Sequence, residues 1–188
     1  MSSRRPANMR VSSMAPAKIS TLHVRRTLGR SNGRLRAGGV SIPCRLGAGG
    51  VTWRKREGDG CTPAGDFLLL FHYFRDDRGW RAPIGIPGRP VRAADGWCDD
   101  PASDRYNRPC PAGSPIRHER MMREDRLYDV VFVLDHNQRP RVRGLGSAIF
   151  FHLTSVDGRP TAGCVAIAPQ DMRRLLPRLA STVRMVIR

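Results

Sequence analysis

The sequence predicts a mostly β domain, and three observations carry that prediction. Glycine and proline supply 34 of the 188 residues, well above an average share of about 12%; both belong to turns, so the chain reverses often. Short stretches of period-two alternation or continuous apolar text recur between those turn residues, which is how strands read. Helical patterns are confined to two short segments, 114–125 and 169–179. With 40% hydrophobic residues, a chain of this length fills one core.

The elements follow in order. Residues 1–13 are rich in Ser, Arg, Pro and Asn and lack the apolar core of a secretory signal, so they are expected to be a disordered basic tail. The domain is expected over residues 14–188, with Met14 an alternative start. From Ile19 to Arg25, Leu22 and Val24 alternate with Thr21, His23 and Arg25 as in a first strand. The Gly-rich text from Arg36 to Val51 predicts a hairpin with Val40, Ile42 and Cys44 on one face. Turn residues from Lys55 to Gly65 then open a buried strand, Phe67 to Phe71. Residues 75–115, with Trp80, Trp97 and Tyr106 among many Asp, Arg, Gly and Pro, are expected to be an irregular lid or binding surface. A short helix from Ser114 to Asp125, a strand from Tyr128 to Leu134, a turn at His136-Asn137, a strand from Ser147 to Leu153 and a short strand from Val165 to Ile167 complete the β part. Pro169 and Asp171 then mark a helix start, with Met172, Leu175, Leu176 and Leu179 on one face and Pro177 limiting its length.

The net charge is +17, and 31 of the 33 basic residues are arginine, Lys18 and Lys55 being the others. They are spread from Arg4 to Arg188, so no local stripe for nucleic acid is visible. A field of this sign concentrates any polyanion, whether nucleic acid, anionic lipid or an anionic cell-wall polymer. No apolar run approaches the ~20 residues that span a bilayer, which excludes a transmembrane helix. Five cysteines, Cys44, Cys61, Cys98, Cys110 and Cys164, form an odd set with no CxxC pair and no His at a compact zinc spacing, so no metal and no cofactor is expected and at least one thiol is unpaired.

The chemistry concentrates between Gly144 and Ile167. A His at the end of an apolar strand and a Thr-Ala-Gly-Cys at the mouth of another can meet at one sheet edge, which brings His152 to Cys164. A thiol with a reference pKa near 8.5 is only a few per cent thiolate at neutral pH, so an acyl-transfer nucleophile needs the neighbouring imidazole to draw its proton. Gly163 permits close backbone approach, and the amides of Gly163 and Cys164 are candidates for an oxyanion hole. The same two side chains also read as a buried small hydrophobe and a satisfied core histidine.

The set His152, Thr161, Gly163, Cys164 and Val165 resembles the catalytic motif of the L,D-transpeptidase (YkuD-type) family, a His and a loop followed by Ser/Thr-x-Gly-Cys-Ile/Val. Lys55 to Phe67, which contains Thr62-Pro63-Ala64-Gly65-Asp66-Phe67, and Tyr128 to Asn137 with the GLGSAIF stretch before His152 are similar to that family too, and the resemblance spans about residues 18 to 180. It implies an L,D-transpeptidase-like β-sheet domain that attacks peptidoglycan stem peptides in the cell envelope or periplasm, with Cys164 forming a thioester and His152 as general base and later acid. Leu153 stands where many members have Gly, Ala162 where many have a second His, and Ala166 where an Arg is common. Arg143 and Arg159 are therefore candidates to orient substrate, while Thr161 and His118 are candidates for supporting the site. Asn137 reads as a turn former, and Asp99-Asp100 as solvated acids. Two further classes stay open: a cell-wall-binding module of the same fold without turnover, and a basic nucleic-acid-binding protein.

Overall fold

A computed structural model describes residues 17–81 and 85–188. The expected tail and Met14 lie outside these residues. Three strands open the fold as a meander: β1 (Ile19–Arg26), β2 (Asn32–Ala37) and β3 (Val40–Arg45), the last two joined by the turn at Gly38-Gly39. The predicted hairpin is present, with Ile42 and Cys44 inward; Val40, at its tip, is exposed. β1 does not alternate strictly. Its register shifts between Ile19 and Thr21, and this bulge puts Ile19 in the core with Leu22 and Val24 despite the odd spacing.

β4 (Gly50–Thr52) and β5 (Cys61–Pro63) form a small parallel pair, and β6 (Gly65–Phe74) follows. The expected strand at Phe67–Phe71 is the middle of this longer one, and Phe67 and Phe71 are only partly buried. The segment 75–115 also differs from expectation. After a 3-10 turn at Asp76–Arg78 it contributes β7 (Gly88–Pro90), β8 (Asp95–Cys98) and β9 (Arg108–Pro111). The expected helix at 114–125 is not formed; β10 (His118–Arg120) lies there and joins β8 and β9 in a three-stranded sheet. Such short strands are decided by the neighbours they pair with, not by local propensity.

β11 (Val130–Leu134), β12 (Phe150–Leu153), β13 (Val165–Ile167), α1 (Pro169–Leu175) and β14 (Leu179–Ile187) complete the chain. β14 had no counterpart in the sequence reading. The eight strands β11-β12-β13-β3-β2-β1-β14-β6 run in that order, and β6 pairs back onto β11, so the sheet closes into a barrel. β7 extends the ladder on the β14 side of β6.

Inside the barrel lie Leu22, Val24, Leu35, Phe132, Phe151 and Met185, with Met172 and Leu175 of α1 in the same cluster. Cys44 belongs there as well, and burial pushes its thiol up to about 12. A second apolar cluster lies outside, where Tyr73, Val131, Val133 and Phe150 meet Trp97 of the small sheet and Met121 beside it. β11 is therefore buried on both faces, which explains its uninterrupted apolar text. Alternation along β12 follows: Phe151 and Leu153 point into the barrel, Phe150 and His152 to the outer layer.

Candidate active site

β12 and β13 are parallel neighbours with Phe151 opposite Val165 and His152 opposite Ala166. That register sets Cys164 beside Phe150 and two residues short of the position facing His152, so the two side chains predicted to meet share the outer face of the barrel. Both are nearly buried, at 7% and 4% exposure, and both line a cleft of about 520 Å3. The Phe150 N–H donates to Cys164 Sγ at 3.3 Å, and the thiol reaches the Ala148 carbonyl, also at 3.3 Å. His152 Nδ1 is 2.8 Å from the Leu153 carbonyl. With that oxygen as acceptor, Nδ1 carries the proton and Nε2 the lone pair. Tyr128 packs edge-on against the imidazole at 5.1 Å between ring centroids.

Burial dominates the electrostatics. It pushes the Cys164 thiol up to about 12, against the pull of the Phe150 N–H, and lowers His152 to about 4. The resting pair is a neutral thiol and a neutral imidazole, and among the described residues no hydrogen bond joins them. The sequence reading expects a thiol already drawn toward its thiolate; exclusion of water from both groups is why the structure differs.

The turn before Cys164 is fixed by two threonines. Thr161 Oγ1 donates to the Cys164 carbonyl at 2.7 Å and accepts the Gly163 N–H at 3.2 Å. Thr62 Oγ1, fully buried, donates to the same carbonyl at 3.3 Å and accepts the Gly47 N–H at 2.8 Å. Gly163 has φ +144°, and a Cβ there would come 2.8 Å from the Cys61 carbonyl oxygen. The close approach it permits is thus to its own chain.

A family model described as the L,D-transpeptidase catalytic domain, YkuD, matches residues 24–187. The chain belongs to the YkuD family. No curated protein matches it.

In this YkuD domain the remaining predicted residues separate. Arg159 and Thr161 line the cleft, Arg159 in an exposed pair with Asp157 at 2.7 Å. Arg143 is exposed in the turn after β11 and is not part of the cleft wall. His118 sits on β10, not on a helix, and its two ring nitrogens lie 2.7 Å from the carbonyls of Ile116 and Ala112; it braces the small sheet and does not line the cleft. Asn137 is a left-handed turn residue at φ +51°, as expected, and its side chain ties the following loop to Val142 and Gly146. All five cysteines are free, and among the described residues no three His, Cys, Asp or Glu side chains gather as metal ligands.

Several residues in the cleft wall or behind it were given no role by the sequence. Glu119, on β10, is raised by burial and lies 3.3 Å from Arg123, which stacks over Tyr128. Lys55 is buried and ion-paired with Asp59. Asn107, 1% exposed, accepts from Trp97 Nε1 at 3.0 Å and from the Ala148 N–H at 3.2 Å, and donates to the Asn137 carbonyl at 2.9 Å. It ties the small sheet to Ala148, whose carbonyl holds the thiol. The one signal in the text was the Lys55 to Phe67 stretch, similar to the family; nothing local marks Asn107.

Proposed function

We propose that this domain is a cysteine acyl-transferase acting on peptidoglycan stem peptides in the cell envelope, with Cys164 as nucleophile and His152 as general base and then acid. The observation that supports it is the shared outer face of β12 and β13, which sets a thiol and an imidazole with a fixed tautomer in one cleft. Because both groups rest neutral, the proton moves during attack and not before it. Cys164 Sγ bonds to the carbonyl carbon of the donor peptide as its proton passes to His152 Nε2. The tetrahedral intermediate places its oxyanion against the backbone at Gly163 and Cys164, where the Gly163 N–H exchanges Thr161 Oγ1 for it. Collapse breaks the carbon–nitrogen bond, His152 returns the proton to the leaving amine, and a thioester remains on Cys164. An acceptor amine then attacks, giving its proton to His152, and Sγ leaves as the thiol. Arg159 and Arg123 in the wall supply positive charge for carboxylates of the stem peptide.

The test is intact-mass analysis after incubation with a disaccharide tetrapeptide. A thioester adduct on Cys164, absent from Cys164→Ala, is expected, and Cys164→Ala should lose acyl transfer while keeping its unfolding midpoint. Retained turnover in Cys164→Ala overturns the mechanism. Binding of the glycopeptide with neither adduct nor turnover identifies a wall-binding module, a reading to which Ala162 and Ala166 in the cleft wall lend support.

A further inference from the structure

Arginines that look scattered in the sequence are gathered by the barrel. Alternation turns His23 and Arg25 of β1 and Arg34 and Arg36 of β2 outward, all exposed. The register sets Arg25 directly opposite Arg34, and His23 opposite Arg36. Like charges in direct cross-strand positions repel, yet among the described residues no carboxylate pairs with Arg25, Arg34 or Arg36. Acidic groups come in only toward β6, where Asp66 holds Arg188 and Asp135 faces Arg184.

Both ends of this face continue its character. At one end a cleft of about 840 Å3 is lined by Lys18, His23, Arg36 and Arg178 with the hydroxyls of Thr21 and Ser41, and no acid. Arg178 Nε is buried there without a partner. At the other end the turn between β1 and β2 carries Leu28, 93% exposed, between the exposed Arg26 and Arg30. In the ring of eight, β1 stands four strands from β12, so this face lies across the barrel from the cleft that holds Cys164.

We propose that the outer face of β1 and β2 docks on an anionic phospholipid bilayer, with Leu28 entering between the headgroups and the Cys164 cleft turned away from the lipid. The charges form a two-dimensional array, about 4.8 Å apart across strands and about 6.7 Å along them, which a headgroup surface matches and a single polymer strand does not. No Phe, Tyr or Trp stands on β1, β2 or β3, so on these strands single-stranded nucleic acid finds no stacking platform; the exposed Trp53, packed against Arg188 beside the end of β1, is a single ring. A solvent-exposed leucine among arginines gains from an apolar phase beneath a negative surface. No described helix is long and apolar enough to cross a membrane.

The experiment is flotation of the full chain with phosphatidylcholine vesicles, with and without phosphatidylglycerol, over a salt series. Binding is expected only to the anionic vesicles and should fade with salt. Arg25→Gln/Arg34→Gln/Arg36→Gln should weaken it roughly hundredfold, about fivefold for each arginine. Leu28→Ser, which leaves the charge untouched, should weaken it as well. Arg108→Gln/Arg120→Gln/Arg139→Gln removes as many exposed charges elsewhere and should bind nearly as wild type; unfolding midpoints of all variants confirm that they fold. The proposal is overturned if wild type ignores anionic vesicles, if the control triple loses as much as the first, or if a single-stranded oligonucleotide or polyol phosphate polymer binds these arginines more tightly than the vesicles do.

Discussion

At the scale of single residues, the site depends on a thiol that rests protonated. Cys164, pushed up to about 12 by burial, and His152, lowered to about 4, are both neutral at pH 7. Alkylation by a small reagent should therefore be slower at pH 7 than for an ordinary thiol and should keep rising through pH 9 and 10. An activated thiolate would instead plateau below the reference thiol value. The rate measured against pH in wild type decides this, and a plateau near neutrality would contradict the neutral pair. His152→Ala should leave that alkylation profile almost unchanged while lowering turnover by about 10²-fold or more, because in the proposed mechanism the imidazole acts during attack. Cys164 and His152 were legible because strand ends and a Gly-Cys turn are local text. The contacts of Thr62, marked only by its family-like element, and of Asn107, marked by nothing, were not: Thr62 bonds a carbonyl 102 positions away and Asn107 an amide 41 positions away, and only the closed fold brings them there.

At the scale of elements, the turn from Thr161 to Cys164 is the piece that positions the proposed nucleophile, its last residue anchored in the outer apolar cluster. Gly163→Ala forces a side chain onto φ +144° and against the Cys61 carbonyl, at a cost of roughly 1–3 kcal/mol. The expected result is a modest fall in unfolding midpoint and a loss of turnover approaching 10²-fold, since small displacements of a nucleophile are costly. Wild-type turnover with a lowered midpoint would show that the turn supports the fold alone. Element by element, the strands that alternate or carry unbroken apolar text were readable. β14 was not, although Val183, Met185 and Ile187 alternate with Arg184 and Arg188, because in the sequence Leu179 completes the apolar face of the expected helix, whereas α1 ends at Leu175 and Leu179 opens the strand. β10 was read as a helix because three residues are too few to show a period.

At the scale of the molecule, acid should weaken the fold before carboxylates titrate. Burial lowers His72 and His136 below the ordinary 6.5, and lowers His152 to about 4. As pH drops through 6.5 the unfolded chain takes up protons that the folded one refuses, so stability is lost downward from there until the folded values are reached. His152 alone accounts for something of the order of 3 kcal/mol across that window. Glu119 and Asp135, both raised by burial, oppose the trend at its lower end. Urea unfolding at pH 7.5, 6 and 5 should show the decline, and His72→Phe should flatten part of it. The substitution gives up the Nδ1 bond to the Pro87 carbonyl, but that carbonyl keeps the backbone N–H of residue 72, and Nε2 has no partner to lose. Stability that is level or rising toward pH 5 would refute the assignment.

The order in which the ring closes has a bearing on how the protein is made. β14, the last of the fourteen described strands in chain order, sits between β1, the first of them, and β6. Until it leaves the ribosome, those two strands each present an unpaired edge, and Leu22, Val24 and Leu35 face an interior open to water. Nothing earlier in the chain fills that gap. The nascent domain therefore waits, edge-exposed and prone to pair with neighbours, and its final pairing spans almost the whole described length, the kind of non-local contact that makes folding slow. A stall or truncation just short of β14 yields not a slightly weaker barrel but an open, adhesive sheet, a natural target for chaperones and proteases.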